Sequence, residues 1–254
     1  MSHTPRIALV TGGSRGLGKS TALHLAKQGV DVILSYHAQE AAAQAVVAEI
    51  EAMGRKALAL QLDVAQSNTF AAFAEQVRAV LQSHWQTERF HVLVNNAGTG
   101  LHASFLDTTE AQFDALVNVH FKGTFFLTQK LLPLMEDGGR IVNLSSGLAR
   151  FALPGYAAYA SMKGAIETLT KYMAKELGPR GIAVNVVAPG AIATDFGGGA
   201  VRDNPQLNAF VATQTALGRV GEADDIGAMI ASLVSSDNRW INAQRIEVSG
   251  GMML

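Results

Sequence analysis

The sequence predicts an α/β protein built on a doubly wound parallel sheet with helices on both faces. Three observations predict it. Short, almost wholly apolar runs alternate with longer runs of helical period along the chain. The first apolar run ends in a glycine-rich turn that opens a helix, Thr11-Gly-Gly-Ser-Arg-Gly-Leu-Gly18. Polar residues then gather directly after later apolar runs, at the carboxyl ends of strands, where such sheets bind ligands. The 254 residues suit one domain, 1–254, and no repeat, linker or low-complexity segment divides them.

Taken in order, Arg6–Val10 reads as a strand buried on both faces. The glycine turn and a helix through Lys27 follow, closed by Gly29. Asp31–Ser35 is the second strand, Ala41–Met53 a helix and Lys56–Leu62 the third strand, ending at Asp63-Val64. Thr69–Ser83 is an amphipathic helix with Phe70, Phe73, Val77, Val80 and Leu81 inward. Phe90–Val94 is the fourth strand and leads into Asn95-Asn96-Ala97-Gly98. Glu110–Asn118 and Phe121–Met135 are expected as two helices, and Arg140–Leu144 as the fifth strand, ending at Ser145-Ser146. A helix from Tyr156 to Leu177 carries Ile166, Leu169, Met173 and Leu177 on its expected buried face. Ile182–Val187 is the sixth strand, ending at Pro189-Gly190. Thr194–Thr215 reads as a polar, glycine-rich insert, a candidate lid with its hinge at Phe196-Gly-Gly-Gly199. Ala223–Ser235 is a helix with Asp224 and Asp225 in its first turn, and Arg245–Val248 is the last strand.

Composition excludes several functions. The net charge of −1 gives no footing for nucleic acid or another polyanion. Without cysteine there is no disulfide, thiolate nucleophile or cysteine-held metal, and no metal site is assigned. No apolar stretch is long enough to span a bilayer and the start lacks a signal-type core, so a cytoplasmic protein is expected.

The chemistry centres on Tyr159 and Lys163, four residues apart and therefore on one helix face. A phenol ordinarily holds its proton to a pKa of about 10. A nearby ammonium favours the phenolate, so this pair can exchange a proton with an alcohol or carbonyl. In the glycine turn, Gly12 allows the tight bend, Gly16 lets backbone approach a pyrophosphate, and Gly18 permits close helix–strand packing. Gly12–Gly16 also spells G-x-S-x-G, the elbow of a serine hydrolase with Ser14 as nucleophile. That reading needs a histidine late in the chain, and the last one is His120.

Thr11-Gly12-x-x-x-Gly16-x-Gly18, Asn95-Asn96-Ala97-Gly98, Asn118, Ser146, Tyr159-x-x-x-Lys163 and Pro189-Gly190-x-x-x-Thr194 together closely resemble the classical short-chain dehydrogenase/reductases. The match runs from about Arg6 to Met252, in order and with the family's spacing. The resemblance implies a Rossmann-type seven-stranded sheet in the order 3-2-1-4-5-6-7. It also implies a homotetramer built on the helices Phe121–Met135 and Tyr156–Leu177 and the last strand. It implies roles for side chains as well. Tyr159 is the acid in reduction and the base in oxidation, and Ser146 holds the substrate oxygen. Lys163 bridges the nicotinamide ribose and depresses the Tyr159 pKa, and Asn118 anchors a water that links Lys163 to solvent. Each has a plainer reading: Ser145 and Ser146 as turn residues, Asn118 as a residue that caps or kinks its helix. Strand alternation turns Ser145 away from the Ser146 face. A dinucleotide sensor on this fold is expected to lose Tyr159 or Lys163, and both are present.

The cofactor contacts implied are Gly12, Ser14, Arg15, Gly16, Leu17, Gly18, Tyr36, His37, Asp63, Val64, Asn95, Ala97, Gly98, Tyr159, Lys163, Pro189, Gly190, Ile192 and Thr194. An acidic residue after the second strand favours NAD, and Tyr36 stands there instead. Arg15 and His37 offer positive charge to a 2′-phosphate, so NADP(H) is expected over NAD(H). The substrate pocket is expected from Leu101, His102, Leu148, Phe151, Leu153, Tyr156 and Phe196, mostly apolar. The chain resembles the 3-oxoacyl-[acyl carrier protein] reductase branch. An acidic carrier protein needs basic residues at the entrance; Arg180 stands at one such position, Asp137 at the other, with Arg150 and Arg202 as substitutes. A small-molecule ketone is therefore set above an acyl carrier protein as partner.

Overall fold

The computed structural model describes residues 5–254. Seven parallel strands form one sheet in the order β3-β2-β1-β4-β5-β6-β7, as expected. They are β1 Ile7–Val10, β2 Asp31–Tyr36, β3 Ala57–Gln61, β4 Phe90–Asn95, β5 Met135–Leu144, β6 Ala183–Pro189 and β7 Arg245–Val248. Every residue of β1, β2 and β6 is buried, which explains why these runs are mainly apolar instead of alternating, with Asp31, Ser35 and Asn185 the buried polar exceptions.

Alternation along β1 divides the core in two. Ala8 and Val10 face a layer with α1 (Gly16–Lys27), α2 (Glu40–Ala52) and α9 (Ala223–Leu233). Ile7 and Leu9 face the other, with α3 (Phe70–Val80), α5 (Gly123–Leu131) and α6 (Ala157–Leu177). β1 lies between β2 and β4, so the chain leaves it in opposite directions and a crevice opens at the carboxyl ends of β1 and β4. Among the described residues no helix is long and apolar enough to cross a membrane.

Four local expectations need correction. The two helices expected over 110–135 are one bent run: α4 (Glu110–Leu116), a wide π-type turn Val117–Lys122, α5, and a tight turn Leu132–Leu134. Met135 opens β5 instead of ending a helix, because Pro133 removes a backbone donor just before it. The 194–215 insert is not a plain polar loop. It holds α7 (Ala200–Asp203) and α8 (Pro205–Thr213), the latter capped by Asn204, whose Oδ1 accepts from Gln206 N and Leu207 N. Finally, the buried face of α6 runs through Met162, Ile166, Thr170 and Ala174, while Leu169, Met173 and Leu177 are only half-buried.

Candidate active site

The glycine turn is held from two strands. Ser35, at the end of β2, accepts from Gly12 N through Oγ at 3.2 Å and from Gly13 N through its carbonyl at 2.8 Å. From the residue just after β4, Asn96 Nδ2 donates to the Thr11 and Gly12 carbonyls at 2.8 and 3.2 Å. Gly12 and Gly16 sit at φ of +66° and +53°, conformations that glycine adopts freely. A Cβ on Gly18 would lie 2.1 Å from the Gly12 carbonyl, so helix and turn pack as the spacing predicts.

α1 therefore begins at the crevice. Its first turn carries no acidic residue, and Arg15 caps it without a side-chain hydrogen bond. Free N–H groups and the positive end of the helix dipole make an anion site there. Arg15 projects into solvent 3.8 Å from Asp195, and His37 is likewise exposed, 3.7 Å from Asp63. Ser14 is half-exposed, and among the described residues no histidine hydrogen-bonds to it. Leu17 packs on the core beneath. After β6, Gly190 N donates to Val248 O at 3.0 Å, Ile192 pairs with Gly221, and the Thr194 side chain stands 3.7 Å from where a Gly16 Cβ would be. The loop from Pro189 to Thr194 thus lies opposite the glycine turn. This donor set fits an anionic dinucleotide.

Two expected contacts are placed elsewhere. The Tyr36 ring is buried in the core, while the Arg15 and His37 side chains are exposed. The Asn95 side chain is spent inside the protein: Nδ2 donates to Thr128 Oγ1 and Asn143 Oδ1, both at 2.9 Å, bracing β4 to β5 and α5. Asn96, its neighbour, shapes the turn instead. Asp63 Oδ1 accepts from Ala65 N at 2.9 Å, and the Val64 carbonyl abuts Gly123. Ala97 N donates to Thr11 Oγ1 at 3.0 Å.

The second half of the site is gathered on α6. Tyr159 and Lys163 are both buried, with Lys163 Nζ 5.5 Å from the centroid of the phenol ring. Ser146 lies two residues past β5, where its Oγ accepts from Leu148 N at 3.2 Å. Burial pushes the Tyr159 pKa well above its ordinary value, with the Ser146 hydroxyl acting against the rise and Tyr156 adding to it. This runs opposite to the lowering expected from Lys163. The reason is the phenol's own burial; burial acts on the lysine too and lowers it to about 7. Ser145 turns away, as alternation predicts, and donates to Glu167 Oε1 at 2.6 Å. Asn118 lies half-buried within the wide turn, and its carbonyl accepts from Gly123 N. The plainer reading of Asn118, a residue where its helix kinks, matches this place in the wide turn; such turns recur at functional sites.

Around Tyr159 the walls are apolar and aromatic. Leu101 and Leu148 pack against the cluster that holds Tyr159. Phe196 lies 5.9 Å from the phenol, centroid to centroid, and against Gly100. The His102 and Tyr156 rings meet edge-on at 5.0 Å beside Gly155. Phe151 packs on Gly147 under the Arg150 guanidinium, away from these contacts. Leu153 is half-buried on the loop before α6. Gly197, Gly198 and Gly199 all have positive φ, 61°, 74° and 79°, so the chain after Phe196 turns in a way only glycine does easily.

Sequence reasoning missed His120, buried beside Tyr159, because a histidine in a helical run carries no signal of its partners. It also missed Arg245, which pairs with Glu167 at 2.6 Å and Glu247 at 2.9 Å behind Ser146.

The family description "Enoyl-(Acyl carrier protein) reductase" matches residues 12–253. A 3-oxoacyl-[acyl-carrier-protein] reductase FabG from Staphylococcus aureus is 39% identical over 97% of this chain and 98% of its own. A chloroplastic NADPH-dependent aldehyde reductase-like protein from Arabidopsis thaliana is 34% identical, over 97% and 93%. Among solved structures, the reductase LugOII, described as promiscuous and reducing a ketone in lugdunomycin biosynthesis, superposes with a TM-score of 0.93 at 39% identity, covering 98% of both chains. The angucycline C-6 ketoreductase LanV with bound NADP also gives 0.93, at 34% identity over 98% of this chain and 95% of its own.

Proposed function

The chain belongs to the short-chain dehydrogenase/reductase family, and we propose that within it this protein is an NADP(H)-dependent reductase of uncharged ketones and keto esters. NADPH, when bound, supplies the hydride. Gly12, Gly16 and the start of α1 hold the diphosphate, with Arg15 and His37 toward the 2′-phosphate. Ser146 orients the substrate carbonyl and Tyr159 donates the proton to its oxygen. A phenol with a raised pKa stays protonated across neutral pH, which suits an acid in reduction. Lys163, one turn below, carries the charge that steadies the phenolate formed, and Asn118 connects it toward solvent. The segment 194–215 serves as lid of a single domain.

One observation favours a small substrate over a carrier protein: the basic side chains at the entrance are already paired. Arg180 Nε donates to Asp137 at 2.7 Å and its other nitrogens to the carbonyls of Leu132 and Met135. Arg150 grips Glu247 with two bonds of 2.7 Å and the carbonyls of Met252 and Met253. Arg202 is held by Asp195 and Asp203. Each would have to exchange its present partners for an acidic one, while Leu148, Tyr156 and Phe196 offer apolar and aromatic area, worth about 25 cal/mol per Å² buried. A neutral ketone with an apolar or aromatic arm suits this wall, and ketoreductases are among the structures of similar fold.

The test is NADPH consumption with matched neutral ketones, keto esters, free keto acids and a carrier-bound 3-oxoacyl group. Neutral compounds should exceed free keto acids at least about tenfold in kcat/KM, roughly 1.4 kcal/mol, since the pocket wall offers a carboxylate no basic side chain apart from His102. Much faster reduction of the carrier-bound group than of its small thioester would favour the fatty-acid reading instead. Exposed Phe125, Phe126 and Tyr172 on α5 and α6 support the tetramer, to be weighed by light scattering against four times 26.8 kDa.

A further inference from the structure

We propose that His120 is a positioning residue that clamps the segment from Asn96 to Leu101 against the edge of the Tyr159 ring. It lies in the wide turn Val117–Lys122, two residues after Asn118, and is 2% exposed. On one side its ring meets Tyr159 with centroids 5.2 Å and planes 88° apart, an edge-on contact that limits how the phenol can tilt. On the other side the loop rests on the imidazole: a Cβ at Gly98 would come 2.8 Å from Cε1 and 3.3 Å from Nδ1.

Two contacts at Thr99 meet Nε2: its carbonyl at 2.8 Å, which can only accept, and its N–H at 3.4 Å. The shorter one assigns the proton to Nε2. Nδ1 is then a bare acceptor, buried and without a partner among the described residues. An apolar ring of similar size would avoid that unpaired nitrogen, so filling space does not by itself account for an imidazole here. The donor at Thr99 and the edge at Tyr159 do. The titratable groups facing His120 are Tyr159 and Lys163 of α6, and the loop Asn96–Leu101 carries no charge. Burial first, then Lys163, brings the His120 pKa to about 3 against its bond at Thr99, so the ring stays neutral and adds no repulsion to Lys163.

The inference rests on the proposed reading, in which Tyr159 is the proton donor and the loop flanks the nicotinamide. Three substitutions separate the two contacts. His120→Phe keeps a ring and loses the donor; the dissociation constant for NADPH, read by fluorescence titration, should rise about tenfold. His120→Gln keeps a donor and loses the ring; kcat at saturating NADPH should fall about tenfold while the dissociation constant moves less than about threefold. His120→Leu should show both. Long-range proton–nitrogen spectra of the wild-type protein should show a neutral Nε2–H ring from about pH 5 to 9, and they decide the matter if the variants do not fold.

Folded variants that keep both constants within about twofold overturn the clamp, as does a parallel loss of both that merely tracks melting temperature. A His120 that titrates in that range, or carries its proton on Nδ1, also overturns it. Tyr159→Phe run alongside separates the failures. If that variant still turns over, the reading of Tyr159 has failed; if it is dead while the His120 variants are silent, only the clamp has.

Discussion

Lys163 donates from Nζ to the carbonyl of Leu144 at 2.8 Å, tying α6 to the end of β5 at the point where Ser146 is displayed. The bond gives a buried amine one acceptor, and burial lowers its pKa to about 7, against about 10.4 in an unfolded chain. Between those values the unfolded state binds the proton and the folded state does not, so this group's contribution to stability rises with pH from about 7 to about 10. Below about 7 both states are protonated and the destabilisation is fully present. Lys163→Met removes the effect. Its melting temperature relative to wild type should therefore be highest near pH 6 and fall steadily toward pH 9. A difference that does not change with pH would contradict the assignment.

Arg15 is the side chain on which the cofactor preference turns. It stands exposed at the start of α1, and its one ion pair, to Asp195 at 3.8 Å, is of the exposed kind that contributes little. A 2′-phosphate would engage it more strongly, at about 1.5–3 kcal/mol for a charge-assisted contact, or roughly ten- to a hundredfold in affinity. Arg15→Ala should erase most of the preference for NADPH and leave NADH binding nearly unchanged. Equal dissociation constants for the two cofactors in the wild type would refute this.

How much of this was legible in the sequence varies with the physics involved. Strands buried on both faces declare themselves as mainly apolar runs, as β1 does; the half-buried last strand, Arg245–Val248, is also found where it is expected. The glycine turn is equally legible, because only glycine tolerates its backbone. A wide turn such as Val117–Lys122 has no pattern of its own, so two helices were expected where one bends. α8 did carry a signal, Asn204 followed by Pro205, hidden by the glycines and polar residues before it. The α6 face is misjudged by one position because Thr170 can be buried once its hydroxyl donates to the Ile166 carbonyl. Ion pairs are the least legible feature: Arg180 and Asp137 lie 43 residues apart, and nothing local shows that they neutralise one another.

Ala243 offers a test of backbone strain. It sits at φ +59°, just before β7, with its N–H donating to the Val184 carbonyl at 2.9 Å. A left-handed conformation costs a residue with a Cβ about 1–2 kcal/mol, partly offset in glycine by the greater entropy of its unfolded chain. Ala243→Gly should stabilise the protein by about 0.5–1 kcal/mol, visible as a higher urea midpoint with an unchanged slope. A lower midpoint would show that the strain is relieved elsewhere.

The central claim is that the Tyr159 phenol delivers the proton. Tyr159→Phe deletes that proton and almost no volume, in a ring held by His120 on one side and Phe196 on another. Ketone reduction by this variant should fall at least about 10²–10⁴-fold, and further where partners act as a unit, while NADPH binds within about threefold of wild type. The decisive measurement is single-turnover NADPH oxidation by Tyr159→Phe with a saturating neutral ketone, beside a titration of its NADPH affinity. Retained affinity with turnover lost is the predicted result; retained affinity with more than about a tenth of wild-type turnover would contradict the account.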